Sequence, residues 1–314
     1  MSLKCANPFP GPCCSVSLIK INDMKKWGYR LGNLLGILGV IFVVVRLQHY
    51  ASEINFSQYT WHVWLVLTFL IVLYGSANVL LAISWWHLLN FFSVKTEKIW
   101  AIQTYGLSQV AKYVPGNIFQ FASRQVLGMS AAVPAKILAK TIFWELGGLA
   151  FCGALFGVLL VPLFFSWIPS FAALVIFGMT LSFAYFILRY KVSRPLSTVF
   201  LNQIAFLIVS GAIFVIILCS VTTSSFTWED IPLVAGAFVL AWLAGLITPG
   251  APAGLGIREL VLITLLNTFF QEAELLMAVL LGRAVTVFGD LLYYLTCRFF
   301  MGSRANSLQI QENV

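Results

Sequence analysis

Two arginines stand nine residues after a proline-glycine step, in segments that are otherwise apolar. Tyr113-Val-Pro115-Gly116 leads to Arg124, and Ile247-Thr-Pro249-Gly250 leads to Arg258. Arginine offers a planar, permanently charged fork that matches the oxygens of a phosphate, which the point charge of lysine does not. Thr248 to Gly256 holds Pro249, Pro252, Gly250, Gly254 and Gly256, so it is not regular helix. It is expected to be a bend facing a cavity, with a helix beginning near Leu255. Arg258 and Glu259 would sit in that helix's first turn, where free N–H groups suit an anion. The plainer reading is a Pro/Gly loop at an interface with a snorkelling arginine.

Further ionisable residues lie in apolar surroundings: Lys140, Glu145, Arg283 and Asp290. Such groups are costly in lipid, so they face a polar interior and mark a pathway or an internal pair. Arg283 and Asp290 are seven residues apart, beyond the reach of a helical i,i+4 contact, so each is expected to find a partner on another helix. An interhelical pair that only fixes packing is the structural alternative. Gln103, Gln109, Asn117 and Gln120 would line the first motif or serve as interhelical glue. No P-loop, HExxH or GxSxG occurs. His49, His62 and His87 lack metal-ligand spacing, and the six cysteines include no CxxC, so no metal or cofactor is expected.

The elements that would hold these residues are set by composition. The chain has 314 residues, 60% hydrophobic and only 10% charged, with a mean hydropathy of +0.93. A soluble domain is about 25% charged, so the fold class is an all-α polytopic membrane protein. The net charge of +8 does not indicate nucleic acid, because many basic residues flank apolar runs, where they set orientation. Runs near 31–46, 62–83, 138–162, 168–188, 199–220, 231–249 and 275–300 approach the roughly 20 residues a span requires. Residues 1–26 read as a cytoplasmic tail, 27–300 as the transmembrane domain and 301–314 as a second cytoplasmic tail. Met24-Lys25-Lys26-Trp27 resembles a natural start, which would make 1–23 a dispensable extension.

Lys20, Lys25, Lys26 and Arg30 place the N-terminus inside, Arg189, Lys191 and Arg194 mark an inner loop, and Arg298 and Arg304 place the C-terminus inside. An even number of crossings is then required, about eight, with short broken helices at the two Pro-Gly motifs. The two motif units resemble each other. Each follows a helix (about 98–112 and 231–249) and continues into a short stretch (about 117–130 and 257–271). Each then meets an acid in a long helix, at Phe143-Trp-Glu145-Leu and Phe288-Gly-Asp290-Leu. The first begins at the basic residues Lys95 and Lys98, the second at the acidic pair Glu229-Asp230, so they run in opposite senses. That is the inverted-repeat pattern of secondary transporters, whose sites form where broken helices meet. The first unit equally admits a re-entrant loop that enters and leaves from the inside.

At these motifs the chain resembles the transmembrane region of the lysylphosphatidylglycerol synthase family, the flippase-like part of multiple peptide resistance factors. The carrying residues are Lys112-Tyr-Val-Pro-Gly-Asn-Ile-Phe-Gln120 with Arg124, then Glu145, and Pro252-Ala-Gly-Leu-Gly-Ile-Arg-Glu259. It departs from many members at Phe119, Gln120 and Leu146, and looks closer to standalone members than to those fused to a synthase. The resemblance implies a multi-pass protein of a bacterial-type inner membrane that moves a phospholipid or a polyprenyl-linked glycan precursor between leaflets. From the residues themselves the expected binding set is Arg124 and Arg258, approaching one another from opposite leaflets to share the lipid's phosphate, balanced by Glu145, Glu259 and Asp290, with Arg283, Asn117 and Gln120. A non-transporting partner of a lipid- or glycan-synthesising enzyme is the main alternative, and a membrane-embedded enzyme a third. An oligomer is compatible with all three.

Overall fold

The computed structural model describes residues 61–114, 119–165, 167–222, 227–247 and 257–312, with 300–312 as backbone. The expected first span at 31–46, the tail before it, and Pro115, Gly116, Asn117, Pro249, Gly250, Pro252, Gly254 and Gly256 lie outside the described residues. Among those described there are helices and turns and no strand. In chain order they are α1 (Trp61–Phe91), α2 (Lys98–Gln109), α3 (Phe119–Ser130), α4 (Ala135–Leu155), α5 (Ser170–Ile187), α6 (Arg194–Val221), α7 (Asp230–Ile247), α8 (Ile257–Leu266) and α9 (Glu272–Glu312). A 3-10 turn, Val110–Tyr113, extends α2, and helical turn continues α4 to Phe164. Six helical segments are long and apolar enough to cross a membrane, the architecture of a multi-pass helical membrane protein.

Local chemistry sets the ends. α1 and α3 both close in a Schellman cap. Ser93 N–H donates to Asn90 O and Val94 N–H to Leu89 O; Ala132 N–H donates to Met129 O and Val133 N–H to Gly128 O. The left-handed residues are Ser93 (φ 63) and Ala132 (φ 62), where glycine is usual. Pro134 and Pro169 stand at the N-caps of α4 and α5. α6 begins with Ser193, whose hydroxyl accepts from Leu196 N–H, and has proline in its first turn.

The bundle packs around α1, α6 and α9, which hold much of the buried side-chain volume, including Trp85, Phe206, Phe214 and Leu218. α1 crosses α9 at two glycines. A Cβ on Gly75 would lie 2.9 Å from Gly289 O, and one on Gly289 only 2.8 Å from Tyr74 and 3.0 Å from Ile71 O. Small residues at such a crossing let helix backbones meet closely. By contrast, α5 buries only Ala173 and Phe177 and turns Phe171, Met179 and Phe183 outward, as a lipid-facing helix does.

The charges divide between the two ends. One end carries Lys95, Lys98, Lys136, Lys140, Arg189, Lys191 and Arg194 against Glu97; the other carries Glu229, Asp230, Glu272 and Glu274. α9 starts at the acidic end, where Thr222 donates to Glu274 at 2.8 Å, and descends antiparallel to α2. Its contacts with α2 follow in order: Asp290 meets Lys112 and Tyr113, Tyr293 packs on Gly106, and Cys297 donates to Ile102 O.

α2 and α3 form an antiparallel pair. Arg124 returns to Tyr105 and Ser108, and Gly128 packs against Leu138 near the start of α4. α3 has 12 residues, about 18 Å of helix, too short for a core of about 30 Å. The pair therefore leaves the basic end of the bundle and returns to it. α7 and α8 form a second antiparallel pair whose outer ends lie at the acidic end: Arg258 lies against Trp242, and α8 is only 10 residues long, whereas α7 by itself is long and apolar enough to cross a membrane.

Candidate functional site at the meeting of two helical hairpins

The two hairpins converge on one polar cavity of ≈ 70 Å³. Gln109, Lys112, Gln120 and Arg124 come from the first hairpin, and Trp242 and Arg258 from the second. Asn78 of α1, Glu145 of α4 and Phe206 of α6 complete the wall. Arg124 and Arg258, expected to approach one another from opposite sides, thus line a common space.

Arg124 is fully engaged. Its Nη1 meets Glu145 Oε2 at 2.5 Å, and both residues are 2% exposed. Its Nε donates to Ser108 Oγ at 3.4 Å, and its guanidinium sits 3.9 Å from the Tyr105 ring centroid. Tyr105 also donates its hydroxyl to Glu145 Oε1 at 2.9 Å, so one phenol supports the cation with its face and the anion with its edge. Gln203 of α6 donates to the Glu145 backbone carbonyl at 3.2 Å and fixes α4 at that height. A buried ion pair holds only when its remaining lone pairs and protons are satisfied, and this one meets that condition.

Asp290, fully buried, is the second centre. Asn78 donates to Oδ1 at 3.0 Å, Tyr113 donates its hydroxyl to Oδ2 at 2.5 Å, and Lys112 pairs with the same oxygen. Gln109 donates to Asn78 Oδ1 at 3.0 Å, which orients the amide. The acid on α9 is therefore neutralised from the first hairpin, not by the arginine of its own unit. Lys112 remains partly open to the cavity, with its side chain 19% exposed.

The second hairpin is paired differently. Glu259 joins Arg283 of α9 at 2.6 Å, so Arg283 does find a partner on another helix, as does Asp290. Arg258 has no carboxylate partner among the described residues. Its Nε is buried without a hydrogen-bond acceptor, and its guanidinium carbon lies 5.9 Å from the Trp242 ring. Among the described residues the cavity thus holds two matched pairs, Arg124 with Glu145 and Lys112 with Asp290, and one cation without a carboxylate, Arg258.

The remaining expected residues divide. Gln120 lines the cavity and is buried, whereas Gln103 is only half-buried and contributes nothing to it. Arg283 sits beside a smaller void of ≈ 20 Å³ next to Arg258, one side chain away from the main cavity. Lys140 was expected inside the membrane but is exposed at the basic end, its Nζ 5.8 Å from the Phe92 ring. It stands only five residues after the start of α4, so its long stem reaches out of the apolar zone. Sequence reasoning passed over Asn78, Tyr105, Tyr113 and Trp242. An asparagine in the 31-residue apolar run of α1 was the available signal for the first; aromatic residues in apolar helices carry none.

No group of three or more His, Cys, Asp or Glu residues is placed to hold a metal among the described residues. Comparison with protein-family models and with curated proteins gives no match.

Proposed function

We propose that this chain carries an anionic lipid headgroup between leaflets, with Arg258 as the residue that receives the charge. One observation carries the reading. Hairpins that dip in from opposite ends bring Arg124 and Arg258 to one polar cavity, in which Arg258 alone among the described lining cations lacks a carboxylate. A buried arginine needs a counter-charge, and a phosphate oxygen pair fits its fork. The headgroup would be that of a phospholipid or a polyprenyl-linked glycan precursor. Arg124, locked by Glu145 and Tyr105, is a fixed polar wall whose charge is already matched, and Lys112 is placed to share the anion by leaving Asp290.

The likeness of the two units supports an inverted repeat. In each, an arginine nine residues after its Pro-Gly step lies over an aromatic ring of the preceding helix, Tyr105 for Arg124 and Trp242 for Arg258. With the apolar run at 31–46 counted as a span, and α7 read as half of a hairpin with α8 although it is long enough to cross, α1, α4, α5, α6 and α9 bring the crossings to six. Two re-entrant hairpins then replace the further pair of crossings expected from parity, and both termini fall on the basic, cytoplasmic side. Rocking one hairpin against the other would open the cavity of ≈ 70 Å³ to each side in turn. The motif resemblance to the flippase-like region of lysylphosphatidylglycerol synthases, and a bacterial-type inner membrane as location, agree with this reading.

The test is transport of fluorescent phospholipid in liposomes that contain the purified protein. Wild type should equilibrate the probe across the bilayer, and Arg258→Ala should lose that activity while still inserting. Equal rates for both would sink the headgroup-binding role of Arg258. No transport by wild type of either a phospholipid or a polyprenyl-linked probe would favour the reading of a non-transporting partner of an envelope lipid or glycan synthase.

A further inference from the structure

On the lipid-facing side of α4 lies a second space, separate from the polar cavity. It is a groove of ≈ 300 Å³ between α4, the end of α1 and the start of α6. By volume it has room for about ten water-sized groups, the scale of a stretch of acyl chain. Leu88, Trp144, Phe151, Leu196 and Val199 supply apolar walls, and Gln203 is the one amide that lines it. Its floor is open at Gly147 of α4, while the next residue, Gly148, lets Gln203 approach the helix closely. A Cβ on Gly147 would meet nothing within 4 Å. Phe143 stands at the rim with 79% of its surface exposed.

The groove runs to the basic end. Two of its lining residues, Leu188 and Leu196, bracket the turn that carries Lys191 and Arg194, both exposed. Lys140 stands one helical turn before Trp144, on the same face of α4. Phe91 and Trp144 pack with ring centroids 5.9 Å apart and close the end of the groove below Lys140. An apolar slot in a bilayer, topped by basic side chains, matches a chain below an acidic headgroup. A zwitterionic lipid fills the slot equally well but does not answer the charges.

We propose that this groove binds an anionic phospholipid of the leaflet at the basic end, its acyl chain along Gly147 and Gly148 and its phosphate at Lys140, Lys191 and Arg194. The site does not depend on the transport reading. α4 is the common wall of groove and cavity: Trp144, Gly147, Gly148 and Phe151 face the lipid, while Glu145 and Leu149 face the polar site. Gln203 spans the two, lining the groove and donating to the backbone of Glu145. Chain occupancy therefore sits one hydrogen bond from the Arg124–Glu145 pair.

The experiment uses the full chain in nanodiscs doped with phosphatidylglycerol or phosphatidylcholine carrying a photoactivatable diazirine in mid-chain. Cross-links are then mapped by peptide. Phosphatidylglycerol should label 143–152 and 196–203 at least about tenfold more than phosphatidylcholine does, a modest estimate for three basic groups near a surface. Gly147→Leu places its Cβ where nothing lies within 4 Å and extends the side chain into the groove, so it should abolish this labelling for both lipids. Replacing Lys140, Lys191 and Arg194 by Gln changes only exposed side chains, so it should leave chain labelling in place and remove the preference for phosphatidylglycerol. Label spread evenly over lipid-facing helices such as α5 would overturn the site. So would equal labelling by the two lipids in wild type, Gly147→Leu without effect, or a cross-linked dimer in which a second copy fills the groove.

Discussion

Arg124 and Glu145 meet at 2.5 Å across the gap between α3 and α4, and both are buried almost completely. Their union leaves the central cavity with a wall that is polar but already neutral. On the proposed function, selectivity for an anion then falls to the less constrained cations, Arg258 and Lys112.

Breaking the Arg124–Glu145 pair should be costly in a way that removing it is not. Glu145→Ala strands a buried guanidinium and should cost about 3–5 kcal/mol. The double variant Arg124→Met with Glu145→Leu should recover much of that loss, because it leaves no unpaired charge. Unfolding in mixed detergent micelles measures both, and a Glu145→Ala protein as stable as wild type would contradict the coupling.

Arg258→Lys keeps the charge and loses the fork. Transport in liposomes should fall about tenfold or more for Lys and further for Ala. Full activity with Lys would mean that a point charge suffices and that bidentate binding is not used.

Asp290→Asn releases Lys112 from its ion pair while preserving the shape of the carboxylate. The cavity gains one unit of positive charge, so a doubly charged headgroup should improve relative to a singly charged one by about three- to tenfold. Competition between the two lipid classes in the same vesicles reads this ratio. A constant ratio in a well-folded variant would remove Lys112 from the binding site.

The hairpin form of α2 and α3 predicts sidedness. Single cysteines at Lys95, Ala132 and Val192 should all react from the same side with an impermeant reagent, and cysteines at Trp167 and Trp228 from the other. If α3 crossed the membrane, position 132 would switch sides relative to position 95.

At the crossing of α1 and α9, Gly289→Ala places a Cβ 2.8 Å from Tyr74 and 3.0 Å from a backbone oxygen, so it should destabilise by about 1–3 kcal/mol. Gly178→Ala on lipid-facing α5 meets nothing within 4 Å and should instead gain about 0.5–1 kcal/mol from helix propensity. Thermal unfolding of the two variants side by side tests the contrast.

Much of this protein is legible along the chain. Six apolar runs correspond to long helices because a bilayer core sets one length for every span, and that length can be counted. The two Pro-Gly steps lie outside the described residues, but the short helices that follow them, α3 and α8, stand where the sequence places them, because proline and glycine act on their own backbone with no need of neighbours. Charge near apolar ends is likewise a local property, and it separates the two ends of the bundle as the basic residues suggest. Partnership is another matter. That Asp290 would be met by Lys112, Tyr113 and Asn78, from 177 to 212 residues away for the two hydrogen bonds, depends on α9 descending beside α2 and crossing α1 at Gly75 and Gly289. Nothing in the spacing of Arg124 and Arg258 distinguishes the one that is neutralised from the one that is not. Pairing is settled by which helices pack within a few ångströms. In a chain so uniformly apolar many packings bury similar surface, so the few polar contacts and small-residue crossings decide among them.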